Sequence, residues 1–327
     1  MQKKEWHAVA KDYNSPFVRN YYWVKWLLQQ PTLVDLPDIY IGISSKKGSI
    51  EYMAQMETWS AVHTALRERV VANPSYMRSI IDETNQKGDA LNAWTHDHFV
   101  ETDLSSVSTS ELIDNIEYAF DGCAELYAYG VLLPLLDYQG FTFLQTKLQS
   151  ILETYVANEE ERESYYRAFT APTERSDAQH EHVALLHIVA TYEKDEMWRK
   201  DVCTLSGEEI EEKYSEFWQQ LVGHAAKHGW VYNVYEGPAF SANNFLDLIQ
   251  CIVDTDKSAA ERLAIIEKAE VEVDTVKKAF YASYPVTDDE RILLELVGLV
   301  VWAKPHRKDM QSKTYAHVEY AQRELGK

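Results

Sequence analysis

The chain of 327 residues is short of the residues that break regular structure, with 12 glycines and 9 prolines. That scarcity argues against a turn-rich β protein. Cysteine is also sparse. Cys123, Cys203 and Cys251 are far apart, with no C-x-x-C spacing and no even-numbered framework, so a reduced, cytoplasmic compartment is expected. Positive charge is the minority: 32 Lys and Arg face 52 Asp and Glu, a net charge of −20. Such a surface repels phosphate backbones and anionic membranes, and neither nucleic acid nor a membrane is expected as a general partner. The longest apolar run, Leu293 to Ala303, is interrupted by Glu295 and falls short of the roughly 20 residues that span a bilayer. Met1 to His7 has no apolar stretch behind Lys3 and Lys4, so no signal peptide is expected. The phosphate-loop, dinucleotide and nucleophile-elbow glycine motifs are missing too. No catalytic residue, metal ligand or cofactor is therefore assigned.

What is present is apolar material at helical spacing. Hydrophobic residues make up 46% of the chain, enough for a substantial core. Ser15 and Pro16 suit the start of a helix carrying Phe17, Tyr21, Val24 and Leu28. Asp38 to Gln55 differs: Ile39, Ile41 and Ile43 alternate, a Gly48-containing turn follows, and Ile50, Tyr52 and Ala54 alternate. That pattern predicts a β-hairpin over about 39–55. Beyond it the period is helical. Trp59, Val62, Leu66 and Val70 share a face, and the next helix is expected to break near Gly88, with a polar connector over 96–107. Capping boxes are expected at Ser108, Ser206, Ser258 and Thr287, each with Glu three residues on. Ile210, Tyr214, Phe217, Leu221 and Ala225 form one stripe. Ile266, Ala269, Val273, Val276 and Phe280 keep a 3,4 spacing that suits a long helix in a hairpin. Thr170 to Ser176 reads as a break. The fold class is thus mainly α: a multi-helix bundle with a long helical hairpin near the C-terminus and one small β-hairpin near the N-terminus. Residues 1–170 and 171–327 form its two parts, in one continuous helical unit.

Lys227 to Ser241, KHGWVYNVYEGPAFS, interrupts these helices with rings, glycines and a proline. Two readings stand. Trp230, Tyr232 and Tyr235 fill gaps where helices meet, or they rim a pocket in which Glu236 holds a polar group or pairs with the Arg307 region. Lys304 to Lys308 is the one concentrated basic cluster. Arg307 and Lys308 are candidates to bind an anion, against a plain charged last helical turn. His180, Glu181, His182 and His187 lack the i, i+4 spacing of a helical metal pair and read as a solvated helix start. His224 and His228 have that spacing, but they continue the apolar stripe and read as ordinary helix positions.

Taken in order, several segments resemble the helical central region of the phosphoenolpyruvate synthase and pyruvate phosphate dikinase-like (PEP-utilising) family. They are Lys11 to Phe17, Asp103 to Leu112, Ala171 to Thr173 with Leu185 and Leu186, Lys227 to Phe245 with its Tyr-Glu-Gly-Pro core, and Trp302 to Asp309. The ATP-grasp and phosphohistidine domains of full members have no counterpart here. The resemblance therefore implies a stand-alone substrate-binding or docking module, not catalytic alone. It would take a small-molecule ligand, or separately encoded ATP-grasp and phosphohistidine-domain partners. Trp230, Tyr232, Tyr235, Glu236, Arg307 and Lys308 would line its site. The alternatives are a phosphotransferase or dikinase-like component working with those partners, and a purely structural interaction protein.

Overall fold

The computed structural model describes residues 6–13, 41–46, 49–136, 143–233 and 237–327, together with Lys25 and Pro37. Among these the protein is mainly helical. Strands β1 (Trp6–Tyr13), β2 (Ile41–Lys46) and β3 (Ser49–Gln55) form an antiparallel sheet in the order β1-β3-β2. The β2–β3 pair is the hairpin read from alternation, with Ile43 opposite Tyr52 and Ile41 opposite Ala54. β1 adds to that reading. Its Trp-His-Ala-Val-Ala-Lys-Asp-Tyr sequence alternates poorly, and its register shifts between Ala8 and Ala10. Pairing along the whole of β3 makes it a strand, a long-range effect that local pattern does not carry. Of the helix expected from Ser15 and Pro16 only Lys25 is described, and it is helical; the rest lies outside the described residues.

The helices follow in series: α1 (Met56–Ala72), α2 (Tyr76–Phe99), α3 (Thr109–Gly130), α4 (Leu132–Leu136), α5 (Phe143–Tyr155) and α6 (Glu159–Thr170). Then come α7 (Asp177–Tyr192), α8 (Glu196–Val202), α9 (Gly207–Lys213), α10 (Ser215–His228), α11 (Ala242–Val253), α12 (Ala259–Ser283) and α13 (Asp288–Leu325). Short 3-10 turns cover Leu104–Ser106 and Gly229–Tyr232. The boxes at Ser206, Ser258 and Thr287 form reciprocally, with Glu209, Glu261 and Glu290 reaching back. Ser176 and Gln179 make a further one. At Ser108 only the hydroxyl half forms, accepting from the Glu111 amide.

Two large apolar cores result. One joins Tyr52 and Ala54 of β3 to Trp59, Val62, Leu66 and Val70 of α1, the leucines of α4, faces of α5 and α6, and the first half of α13. The other gathers Leu185, Leu186, Trp198, Phe217, Leu221 and Phe245 from α7 to α11. α13 extends beyond the first core. Its later turns pack against α2 and α3 through Val318 and Ala321, beside Phe99, Leu112 and Ile116. α12 lies along α6 and α7. The stretch Thr109–Leu136 is, by length and composition, apolar enough to cross a membrane, and its most apolar 18 residues are 61% buried inside the fold.

Four local expectations give way to tertiary contacts. α2 does not break near Gly88; it runs to Phe99, and Gly88 is buried where Met310 of α13 packs against it. The expected connector from residue 96 consequently begins only after α2 ends. The stripe Ile210 to Ala225 is two helices, not one. Tyr214 leaves helical geometry at φ −130°, ψ 55°, and its hydroxyl donates to Asp201 Oδ2 at 2.7 Å. The basic cluster 304–308 is not a last turn, because α13 continues through Pro305 to Leu325. An interior proline costs a helix about 3 kcal/mol. Pro305 is exposed, however, while Trp302, Ala303, Arg307, Met310 and Gln311 around it are buried, and that burial outweighs the lost hydrogen bond.

α13 approaches the 169–173 crossing so closely that Gly298 has no room for a side chain: a Cβ there would sit 2.6 Å from the Ala171 carbonyl oxygen. Gly298→Ala is expected to lower unfolding free energy by about 1–3 kcal/mol in a urea titration. Gly223→Ala, in exposed helix with nothing within 4 Å of the new Cβ, should raise it by about 0.5–1 kcal/mol. Equal effects of the two would contradict this packing.

Candidate functional site

The aromatic stretch is built on α10. Phe217 and Leu221 of α10 are buried, which keeps one helical face in the second core and puts His224 on that face as well. Glu181 of α7 is fully buried opposite it. His224 Nε2 lies 2.9 Å from Glu181 Oε1, and the Tyr232 hydroxyl donates to Glu181 Oε2 at 2.6 Å. One carboxylate thus joins α7, α10 and the 3-10 turn. Burial by itself would raise the Glu181 pKa. The hydrogen bonds from His224 and Tyr232 outweigh it and hold the group below its ordinary value. Tyr232 shifts the other way, raised by burial and by the adjoining carboxylate. Its ring stacks on Phe240 at 4.2 Å, and both rings meet Phe245 edge-on. His228, one turn beyond His224, is depressed to about 4, chiefly by burial and then by His224. The reading of Glu181 as part of a solvated helix start is therefore corrected: His180 and His187 are exposed, Glu181 is not.

The end of the stretch, from Gly237, is tied to its start and to α13. The Phe240 amide donates to the Gly229 carbonyl at 3.0 Å. Asn233, buried, accepts from the Gly237 amide at 3.0 Å and donates to Glu319 Oε2 of α13 at 3.2 Å. Gly237 sits at φ +53° before a cis bond to Pro238. A Cβ there would displace the Glu319 carboxylate, and the positive φ is the conformation that favours glycine. Glu319 in turn pairs with Arg323 at 2.6 Å.

Against this wall lies a cleft of about 480 Å³. Trp230, Pro238 and Phe240 form its apolar side, and His317, Glu319 and Arg323 line the α13 side. The Trp230 indole donates to the Lys227 carbonyl at 3.0 Å, and the Lys313 ammonium lies 5.7 Å from its ring centroid. His317 Nδ1 is 2.9 Å from Thr95 Oγ1, and its ring meets His96 edge-on. Burial, then Lys313 and His96, depress its pKa to about 4.

Trp230 and Tyr232 therefore belong to one junction, Trp230 on the cleft and Tyr232 beneath it. Tyr235 and Glu236 lie outside the described residues. Arg307 and Lys308 are elsewhere: twelve and eleven residues before Glu319 on α13, about 17–18 Å along the axis. Arg307 is buried with its stem against Gly130 and its guanidinium 5.8 Å from the Tyr127 ring, and Lys308 is exposed. No family model matches the chain, and no curated protein or solved structure matches it either.

A second grouping comes from residues far apart in sequence. Asp177, at the first position of α7, and His306 and Asp309 of α13 bring ligand-type atoms within 4.8 Å of one another. His306 Nδ1 lies 3.2 Å from Asp177 Oδ2, and its ring stacks on Trp302 at 4.5 Å. Burial, and then the Asp177 charge, push Asp309 up to about 6.

Two outcomes follow. Glu181→Ala leaves His224 and Tyr232 facing each other without their acceptor and should cost about 3–5 kcal/mol in denaturant unfolding. A loss below about 1 kcal/mol would contradict the shared carboxylate. His317 has a folded pKa near 4 against 6.5 for the free group. The unfolded chain then binds a proton that the folded one does not, so this group's stabilisation is full above pH 6.5 and is lost toward pH 4. Melting temperature against pH should be flatter across that window in His317→Gln than in wild type; parallel curves would contradict the assignment.

Proposed function

We propose that this chain is a helical ligand-binding module and that the cleft beside the aromatic stretch is its site. The carrying observation is the cleft itself: an aromatic wall pinned from behind by Glu181 and Asn233, facing ionisable groups on α13. Its volume of about 480 Å³ falls in the range of small-molecule sites, about 300–1,000 Å³, and a mostly apolar lining with a few oriented polar groups is their usual make-up. The resemblance to the central region of PEP-utilising enzymes supplies the ligand class, a small molecule bearing a phosphate or carboxylate. Arg323 can offer such a group a two-pronged hydrogen bond, and Trp230 and Phe240 can take its apolar part. On this reading any phosphoryl transfer belongs to separate ATP-grasp and phosphohistidine-domain partners, and this chain presents the acceptor.

Calorimetric titration with phosphoenolpyruvate, inorganic phosphate and an aromatic carboxylate such as benzoate tests the site. Binding of at least one probe is expected, weakened at least about tenfold, roughly 1.4 kcal/mol, in Trp230→Ala and in Arg323→Ala. Lys308→Ala should bind as wild type does. Failure of all three probes, or binding that both cleft variants retain, would overturn the proposal.

A further inference from the structure

The cluster formed by Asp177, His306 and Asp309 stands apart from the cleft and is used by nothing described above. Two helices supply it. Asp177 opens α7 just after the 171–176 segment crosses α13, where the Thr173 amide meets the Gly298 carbonyl at 3.4 Å. His306 and Asp309 are three residues apart on α13, which places them on one helical face. All three are half-buried.

As an ion pair the arrangement is unbalanced. Two carboxylates share one imidazole, the Lys308 charge also acts on Asp309 but does not bond it, and no hydrogen bond reaches the Asp309 carboxylate among the described residues. Two like charges held close together at a partly desolvated site repel each other. A divalent cation would neutralise both. The geometry is near what such an ion needs. Cis ligand atoms around a metal at about 2.1 Å lie roughly 3.0–3.4 Å apart, and the three groups already converge to 4.8 Å or less. The His306–Asp177 pair is already at 3.2 Å. Stacking on Trp302 fixes the plane of the imidazole, as supporting contacts do for metal-bound histidines.

We propose that Asp177, His306 and Asp309 form a binding site for a divalent transition-metal ion. One imidazole and two carboxylates make a donor set of intermediate hardness, suited to Mn²⁺, Co²⁺ or Zn²⁺ over Mg²⁺, which binds imidazole poorly and keeps its water. Three protein ligands leave positions open for water or an oxygen-bearing ligand. An ion held there would also clamp the start of α7 to the middle of α13.

The test uses the full chain stripped with chelator. Mn²⁺ binding is followed by electron paramagnetic resonance, and Co²⁺ binding by its visible absorption. A Cys203→Ser, Cys251→Ser background removes the two exposed thiols as competing ligands. One equivalent of Mn²⁺ should bind, and the melting temperature should rise on loading. Asp309→Asn and His306→Gln should each weaken binding at least about tenfold, and the Co²⁺ band should be lost in His306→Gln. Glu272→Gln, an exposed acid on α12, should leave affinity unchanged. Circular dichroism in chelator checks that the variants fold, and Asp309→Asn, which removes a repulsive charge, carries the test if His306→Gln does not. Absence of binding by wild type would overturn the proposal. So would binding that Asp309→Asn retains in full, which would mean adventitious association with the acidic surface.

Discussion

The continuity of α13 is the constraint on which the structure depends. Its 38 residues span about 57 Å, enough to leave the first core, pass the start of α7, and reach the aromatic junction. Its first half is buried against α5 and α6, its middle meets α2 and α3, and its last turns supply the far side of the cleft. Pro305 would end an isolated helix. Here the helix around the exposed proline is held by buried Trp302, Ala303, Arg307 and Met310. Burying one large apolar side chain stabilises by about 1.5–3 kcal/mol, so Trp302 and Met310 together offset the proline.

The aromatic junction is held by two carboxylates of different character. Glu181 works from inside the second core, where its cost of burial is met by two donors. Glu319 works from α13, at the edge, bonded to Asn233 and paired with Arg323. Between them the segments 229–233 and 237–240 are tied to each other, by the Phe240–Gly229 backbone bond and by the bond from the Gly237 amide to Asn233. Segments fixed in this way have already lost much of the conformational freedom that binding would otherwise cost, and that is what makes them a usable wall.

The sequence disclosed what is local. The capping boxes at Ser206, Ser258 and Thr287 need only residues three apart, and they form. So does the hairpin, whose isoleucines alternate within one short stretch. The aromatic segment was visible as a junction because it breaks two helical periods. What it packs against was not, since Glu181 and Glu319 lie 51 and 86 residues from their partners in it. A hint existed in phase: Glu181 is four residues before Leu185, and His224 three after Leu221, so both titratable groups fall on apolar faces. Gly88 misled because glycine in a helix signals a break unless another helix, here through Met310, occupies its side. Arg307 misled by type. Basic charge next to proline reads as a surface anion site, yet its guanidinium is folded into the α3–α13 contact. The pairing of Asp177 with His306 and Asp309 bridges about 130 residues and has no local trace.

Residues 229–233 and 237–240 form a fixed wall and not a loose connection. Amide hydrogen exchange on the intact chain tests it most directly. Slow exchange is expected at Phe240, Asn233 and Gly237, whose N–H groups are bonded to Gly229, Trp230 and the Asn233 side chain, at rates close to those of the α10 amides that precede them. Exchange at those three positions as fast as in an open surface loop would contradict it.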